Sequence, residues 1–222
     1  MEVKADAGTR EAARTARTNL VIVGYGAFGR AVHTALAQRD DVAISVYSRS
    51  ARTYDHAPVG TFDDAARIPL ADFDVVVVAL PGTAVREVLH GLPRASGTTA
   101  FLSCVKGMDP ESGMFPSDVI YEATGSDYIA VMSGASFADE MLIGQPVFLT
   151  LACANDLLGR DLIERLENPV LRLELSDDVR GLEIAGVGKN IIALGAGMAD
   201  GLELGDNFRA AFIARGIVEL RH

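Results

Sequence analysis

The segment from residue 19 to residue 39 constrains the fold of this chain more than any other part of it. A run of apolar and β-branched residues over Asn19–Gly24 predicts a buried strand. The sequence Gly24-Tyr25-Gly26-Ala27-Phe28-Gly29 follows, and apolar residues at helical spacing predict a helix over Ala27–Arg39. A strand, a glycine-rich turn and a helix in this order are typical of the first unit of a doubly wound α/β sheet.

The three glycines of this turn have separate roles in a dinucleotide site. Gly24 permits the tight turn, Gly26 lets the backbone approach a pyrophosphate, and Gly29 lets the helix pack closely on the strand. The amino end of the helix would then face the phosphates. A plain glycine turn is the alternative. The predicted cofactor-binding turn comprises Gly24, Tyr25, Gly26, Ala27, Phe28 and Gly29.

Further apolar runs predict that the sheet continues along the chain. Strands are expected at Val42–Tyr47, Asp74–Leu80, Thr99–Val105, Tyr128–Ser133, Val147–Ala154 and Val170–Leu175. The second of these contains four consecutive valines, and a strand that is apolar on both faces belongs in the middle of a parallel sheet covered by helices. We therefore expect an α/β fold with a Rossmann-type doubly wound sheet.

The character of the sequence changes after Ser176, which is expected to cap a helix. This helix, rich in glycine and alanine, is predicted from Asp178 to about Met198, and a second helix runs from about Asn207 to the end. Glycine costs about 1 kcal/mol in a helix interior, so close approach by a ligand or another helix is expected. The predicted organisation is a flexible tail (1–18), a dinucleotide-binding domain (19–176) and the start of an all-helical substrate domain (177–222).

Charge and composition exclude several classes of protein. The 20 Lys and Arg residues against 30 Asp and Glu give a net charge of −10, which argues against nucleic-acid binding. An anionic substrate would therefore need a local pocket of positive charge. The most apolar run, Phe73–Leu80, is too short for a membrane span. The chain has two cysteines, Cys104 and Cys153, which favours a reducing cytoplasm as its compartment. The four histidines lack the spacing of metal ligands, so no metal is expected.

The end of the second predicted strand bears on the choice between NAD and NADP. A carboxylate there would bind the ribose hydroxyls of NAD, but the segment Tyr47-Ser48-Arg49-Ser50-Ala51-Arg52 has no acid. Arg49 and Arg52 could hold the additional phosphate of NADP through charge-assisted hydrogen bonds. We therefore interpret Ser48 and Arg49 as cofactor-binding residues and expect NADP, with NAD as the alternative cofactor and a solvated basic turn as the alternative interpretation.

Two lysines are candidates for the chemistry. Lys106 follows a predicted strand, and the carboxyl ends of such strands line the ligand crevice, so Lys106 could bind substrate; a surface lysine is the alternative. Lys189 lies among small residues of the glycine-rich helix, and a partly desolvated lysine can exchange a proton near neutral pH. A side chain that extends to solvent is the alternative for Lys189. Cys104 is interpreted as a small buried hydrophobe rather than a nucleophile.

An ordered set of motifs runs through the chain. They are Gly24–Gly29, Val78–Gly82, Ser103–Gly107, Ser133–Ala138 with Glu140, Gly186–Asn207 and Arg215–Glu219. In this order they resemble the NAD(P)-dependent glycerol-3-phosphate dehydrogenase family, and the resemblance covers essentially Asn19–Leu220.

The resemblance implies a reaction and roles for particular residues. Dihydroxyacetone phosphate and sn-glycerol 3-phosphate would interconvert by hydride transfer with the nicotinamide, with a small phosphorylated substrate that belongs to glycerophospholipid metabolism. In the family, the lysine matching Lys189 donates or accepts the proton at the reacting oxygen. The lysine matching Lys106 contacts the substrate, and the asparagine matching Asn190 helps to position it. The family pattern also implies Pro81 and Ala138 as cofactor-binding residues.

The chain departs from the family pattern at three places. Ala135 stands where the family usually has proline, Arg209 stands where a lysine is typical, and the chain ends at His222, before the helical residues that grip the substrate phosphate. A fragment, a truncated gene and a shortened relative with altered chemistry would each account for the last departure. A reductase of another small carbonyl substrate and a non-catalytic nucleotide-binding protein are therefore the alternative functions. A homodimer is expected, because a short helical part would leave the glycine-rich helix exposed.

Overall fold

A computed structural model describes residues 17–50, 53–95 and 97–221 of the chain. Within these residues, one sheet has eight strands in the order β3-β2-β1-β4-β5-β6-β7-β8. The strands are β1 (Thr18–Val23), β2 (Val42–Tyr47), β3 (Gly60–Phe62), β4 (Val75–Val78), β5 (Ala100–Ser103), β6 (Ile129–Ser133), β7 (Val147–Ala152) and β8 (Leu171–Ser176). The helices are α1 (Ala27–Leu36), α2 (Gly82–His90), α3 (Pro116–Thr124), α4 (Ala138–Leu142), α5 (Asp156–Leu166), α6 (Val179–Gly201) and α7 (Gly205–Glu219).

The chain winds outward from β1 in both directions, which confirms the predicted Rossmann-type doubly wound sheet. Strands β2 and β3 lie on one side of β1, and β4, β5 and β6 lie on the other, all of them parallel. Val23 is in register with Tyr47 of β2 and with Val78 of β4, so these three strands end at one level. The turns that follow them therefore meet at the carboxyl edge of the sheet, beside the switch point between β1 and β4.

The apolar core lies on both faces of the sheet. Because side chains alternate along a strand, Val75 and Val77 enter one apolar cluster, whereas Val76 and Val78 enter the other. All four valines are fully buried, which confirms that β4 is a central strand.

The strand ends agree with the predicted ends to within two residues, but three features were not predicted. Thr18, assigned to the tail, belongs to β1, because its N–H donates to the carbonyl oxygen of Asp41 at 2.8 Å and it pairs with Val42. Residues 1–16 of that tail lie outside the described residues. The short strand β3 was missed. Strand β7 runs antiparallel to β6, and β8 is parallel to β7, so the last two strands reverse the direction of the sheet.

The long helix α6 begins at a different cap from the predicted one. The carboxylate of Asp178, rather than Ser176, accepts the N–H of Gly181 at 2.7 Å. A Cβ atom on Gly188 would collide with Leu220, and one on Gly195 would lie 2.5 Å from an atom of Phe212. These two glycines therefore let α7 approach α6 closely, which confirms the predicted reason for glycine in this helix.

Helix α6 is also the one helix among the described residues that is long and apolar enough to cross a bilayer by length and composition. Such a helix is weak evidence of a membrane span, since packed helices of globular enzymes meet the same criteria. Here α6 packs against β6, β7 and α7. These contacts account for part of its apolar surface.

Candidate active site

The glycine-rich turn has the geometry of a phosphate cradle. Gly24 has a φ of +103°, and a Cβ there would lie 2.5 Å from the carbonyl oxygen of Ala79. A Cβ on Gly29 would collide with the carbonyl oxygen of Gly24, so α1 packs directly on the turn. A Cβ on Gly26, by contrast, would meet no atom within 4 Å. The turn is therefore tightly packed at Gly24 and Gly29, whereas it leaves open space at Gly26, where a pyrophosphate would approach.

The amino end of α1 borders the same open space. Gly26 is its N-cap, and no side chain caps the helix there. The first backbone amides of a helix have no intrahelical acceptor and carry partial positive charge. A pyrophosphate would therefore satisfy the amides that follow Gly26, so the residues present fit a dinucleotide.

Tyr25 contributes to this turn through its backbone, because its side chain points into the core. The ring is buried beside Tyr54, and its hydroxyl oxygen lies 2.7 Å from Nδ1 of His33 on α1. Burial, and then the charge of His56, lowers the pKa of His33 to about 4. Burial likewise raises the pKa of Tyr25 to about 12. This neutral pair ties the turn to α1 and was not predicted from the sequence.

The structure places the other predicted cofactor residues at the carboxyl edge of the sheet. Ser48 follows β2 and donates its N–H to the carbonyl oxygen of Phe62 at 3.0 Å. Pro81 is the N-cap of α2, after β4, and Ala138 is the first residue of α4, which packs on α1. Arg52 lies outside the described residues.

Arg49 makes an ion pair that the sequence did not predict. Its Nη1 lies 3.2 Å from both carboxylate oxygens of Glu87 on α2. The Arg49 side chain is 58% exposed and that of Glu87 is 71% exposed. Exposed pairs of this kind contribute about 0–1 kcal/mol, so Arg49 can exchange Glu87 for another anion at little cost.

Lys106 lies between the glycine-rich turn and the segment after β6. Its Nζ is 4.9 Å from the ring centroid of Phe28 and donates to the Ser136 hydroxyl at 3.4 Å. Burial, followed by the nearby charge of Lys189, lowers the pKa of Lys106. The adjacent Cys104 thiol is fully buried, and burial raises its pKa to about 12, so it stays protonated and is not a nucleophile.

Helix α6 brings Lys189 to this site from a distant part of the chain. The chain has three lysines, and Lys189 lies near enough to Lys106, 83 positions earlier, for its charge to add to the effect of burial in lowering the pKa of Lys106. The approach is close because Gly186 faces Ser133 of β6, whose hydroxyl would lie 3.4 Å from a Cβ at position 186. Lys189 and its neighbour Asn190 are both exposed on α6, which favours the alternative interpretation that the Lys189 side chain extends to solvent over partial desolvation. Two candidate catalytic lysines thus lie near each other beside the predicted cofactor site, and Asn190 follows Lys189 in the sequence.

An ion cluster around the buried Asp109 carboxylate joins α2, α3 and the segment that follows Lys106. Arg86 of α2 donates to Asp109 at 2.8 Å, to Glu122 of α3 at 3.0 Å and to Ser112 at 3.1 Å. Hydrogen bonds from Ser112, and then from Arg86, lower the pKa of the buried Asp109 carboxyl. Scattered acids and one arginine gave no sequence signal for this cluster, because its members lie on three separate elements.

Comparison with known proteins decides the family. Residues 59–158 match the model described as NAD-dependent glycerol-3-phosphate dehydrogenase N-terminus, and residues 178–222 match the corresponding C-terminus model. Glycerol-3-phosphate dehydrogenase [NAD(P)+] of Roseobacter denitrificans is 35% identical over 216 residues, which cover 90% of this chain and 67% of that protein. The chain belongs to the NAD-dependent glycerol-3-phosphate dehydrogenase family. This confirms the resemblance found in the ordered motifs.

Other members of the dehydrogenase family agree in sequence and in fold. The enzyme of the same name from Beijerinckia indica is 33% identical over 90% of this chain and 65% of its own length. The crystal structure of glycerol-3-phosphate dehydrogenase from Coxiella burnetii superposes with a TM-score of 0.80 at 28% identity, covering 92% of this chain and 67% of that one. This chain therefore spans about two thirds of the length of the dehydrogenases it matches.

Proposed function

We propose that this chain binds a nicotinamide dinucleotide and interconverts dihydroxyacetone phosphate and sn-glycerol 3-phosphate. The observation that carries this proposal is the pair of neighbouring lysines, Lys106 and Lys189, beside a turn shaped for a pyrophosphate. In a protein of net charge −10, two ammonium groups in one place are a local exception, and they suit a substrate that carries a phosphate.

The role of Lys106 follows from its surroundings, and the role of Lys189 follows from the family resemblance. The bound cofactor would supply or accept the hydride. In the direction of reduction, Lys189 donates a proton to the carbonyl oxygen as that oxygen gains negative charge, and in the reverse direction it accepts the proton. Lys106, held between Phe28 and Ser136, attracts the anionic substrate, and its partial burial strengthens that attraction. Asn190 helps to orient the substrate beside Lys189.

Substitution of each lysine tests these roles. With dihydroxyacetone phosphate and NADPH, Lys189→Ala should lower kcat by roughly 100-fold or more, since proton transfer by a positioned group contributes about that much. Lys106→Met should chiefly raise KM for the substrate. Lys4→Ala, the third lysine, is the matched control and should retain the parent rates. A Lys189→Ala variant that reduces dihydroxyacetone phosphate as fast as the parent would overturn the proposal.

A substrate panel separates this proposal from its two alternatives. Clear preference for a non-phosphorylated ketone would favour a related reductase. NADPH binding by calorimetry without turnover of any panel member would favour a non-catalytic nucleotide-binding protein. Preference for dihydroxyacetone phosphate supports the proposal.

We further propose that NADP is the preferred cofactor. The support is the position of Arg49 at the end of β2, in a segment without a carboxylate, and the weakness of its exposed pair with Glu87. Arg49→Ala should weaken NADPH binding about tenfold, the effect of one charge-assisted phosphate contact, and leave NADH binding unchanged. Arg67→Ala, another exposed arginine with one acidic partner, is the matched control. Equal weakening of NADPH and NADH binding would contradict this assignment.

We also propose that the protein is a homodimer through the outer face of α6 and α7. Side chains of α6 such as Ile191, Leu194 and Met198 are exposed, and no residue of α7 is buried. A large apolar patch of this kind is rare on a monomer. Light scattering should give the mass of two chains, and a monomer at all concentrations would refute the proposal.

A reducing cytoplasm is the compartment we propose, because both cysteines are free and buried rather than paired. Fractionation of the native organism should find the protein in the cytoplasmic fraction. Recovery from an oxidising compartment would contradict this.

A further inference from the structure

Helix α6 carries a buried carboxylate that the proposed chemistry does not use. The Glu183 side chain is 2% exposed, and its carboxylate accepts the N–H and the hydroxyl of Ser117, each at 2.9 Å. Ser117 is the second residue of α3, directly after Pro116, and the N-cap residue Phe115 provides no side-chain cap. Glu183 therefore caps α3 from another helix, where a negative charge is favourable.

Contacts of Arg180 also join the amino ends of α3 and α6. Arg180, one turn before Glu183, donates to both carboxylate oxygens of Asp118 at 2.9 and 3.0 Å. Its guanidinium lies 4.3 Å from the centre of the Phe115 ring, and it also donates to Glu183 at 3.3 Å. The start of α6 is thus held to the start of α3 through both a charge pair and a buried cap.

Apart from these contacts, α6 packs on α7, β6 and β7. Helix α7 has no buried residue that would hold it to the rest of the protein. Gly186, which faces Ser133 of β6, has no side chain to interlock with the sheet. Burial raises the pKa of Glu183, although the Ser117 hydrogen bonds and Arg180 act in the opposite direction. Burial of this carboxylate costs free energy that its hydrogen bonds offset only in part, which fits a role in orienting α6 rather than in adding stability.

The position of Lys189 depends on that rotation. Glu183, Gly186 and Lys189 follow one another at intervals of three residues, so Lys189 lies about 9 Å further along the helix. An ammonium about 8 Å from the axis of a helix would move by roughly 3 Å if the helix turned by about 20°. A misplacement of about 1 Å can reduce a rate 100-fold.

We propose that Glu183 is a positioning residue: its clamp on Ser117 fixes the rotation of α6 and so sets the Lys189 ammonium against Lys106. The kinetic consequences rest on the proposed function, whereas the geometry does not. Glu183 touches neither substrate nor cofactor in this proposal. It acts through Lys189.

The first test reads the geometry without catalysis. Reductive methylation with isotope-labelled formaldehyde gives NMR signals for a chain with three lysines, and Lys106 is assigned by its loss in Lys106→Met. Because burial and then the charge of Lys189 lower the pKa of Lys106, Glu183→Gln should raise the pKa of Lys106 as Lys189 moves away. In a Lys189→Ala background the same substitution should have no effect on Lys106.

A matched control separates positioning from general loss of stability. Asn168 is also buried, and its amide oxygen accepts the N–H groups of Val170 and Leu171, which belong to neither α3 nor α6. Asn168→Ala should lower the unfolding midpoint without changing the titration of Lys106. If Glu183→Gln also lowers the midpoint and leaves the Lys106 titration as in the parent, Glu183 is structural only and the proposal is wrong.

The second test uses turnover. Glu183→Gln should lower kcat about 10- to 100-fold with unchanged NADPH affinity, and Ser117→Ala should do so to a smaller degree. In Lys189→Ala, Glu183→Gln should cause no further fall in kcat; an independent fall would contradict action through Lys189. A parent chain without turnover would remove the proposed function, while the Lys106 titration would still decide the role of Glu183.

Discussion

The pKa of His33 predicts how the stability of this protein depends on pH. His33 is 2% exposed, next to the Tyr25 hydroxyl, and its pKa is about 4 in the folded protein against 6.5 for an ordinary histidine. Between these values the unfolded chain binds a proton that the folded chain does not. The free energy of unfolding therefore decreases as the pH falls through this window.

The size of the effect follows from the two pKa values. The whole difference is worth about 3 kcal/mol, reached below pH 4, and about 2 kcal/mol of it is lost at pH 5 relative to pH 7.5. Working at pH 5 keeps most carboxylates ionised, so their protonation contributes little. Besides burial, the charge of His56 lowers the pKa of His33 and the charge of Asp55 raises it.

Urea denaturation followed by circular dichroism at the two pH values measures the effect, since the chain has no tryptophan. His33→Gln keeps an amide for the Tyr25 hydroxyl and cannot titrate. Its loss of stability between pH 7.5 and pH 5 should be about 2 kcal/mol smaller than that of the parent. His90→Gln, at a 45% exposed histidine, is the control. Equal pH dependence in the parent and His33→Gln would refute the reasoning.

Three further predictions concern packing and the site. Gly29→Ala should lower the free energy of unfolding by roughly 3 kcal/mol because its Cβ meets backbone, whereas Gly26→Ala should change it by less than about 0.5 kcal/mol but weaken NADPH binding in calorimetry. Gly197→Ala should stabilise the protein by about 1 kcal/mol in urea denaturation, since this helical site is open; a destabilised variant would contradict that. Phe28→Leu removes a cation–π contact worth about 1 kcal/mol, so NMR titration should find a lower pKa for Lys106, and an unchanged value would count against the contact.

Local sequence signals were enough to predict the nucleotide-binding half of the fold. The strand, turn and helix from Thr18 to Leu36 depend on β-branched residues, glycine spacing and helical periodicity, all within one short segment. The four valines of β4 likewise predicted their own central position, because only a strand covered on both faces is apolar throughout. The glycines of α6 predicted a close neighbour, although the sequence did not say which helix it was.

Contacts between distant residues could not be predicted in this way. The reversed direction of β7 depends on pairing with β6, and a strand carries no mark of the direction of its partner. The pairs Arg49–Glu87 and Ser117–Glu183 join residues 38 and 66 positions apart. The first pair is exposed and Glu183 of the second is buried because of how the helices pack, which the local composition around each residue does not predict.

The sequence by itself determined that a dinucleotide cradle would form and that Lys106 and Lys189 were candidates for the chemistry. Local backbone preferences fix a turn, and residue type fixes what a side chain can do. Only the tertiary structure decided that Lys189 lies near enough to Lys106 for its charge to affect that lysine, and that Glu183 is buried against α3. The reason is that the electrostatic effect of one charged group on another depends on the distance between them in space. The folded sheet and helices set that distance.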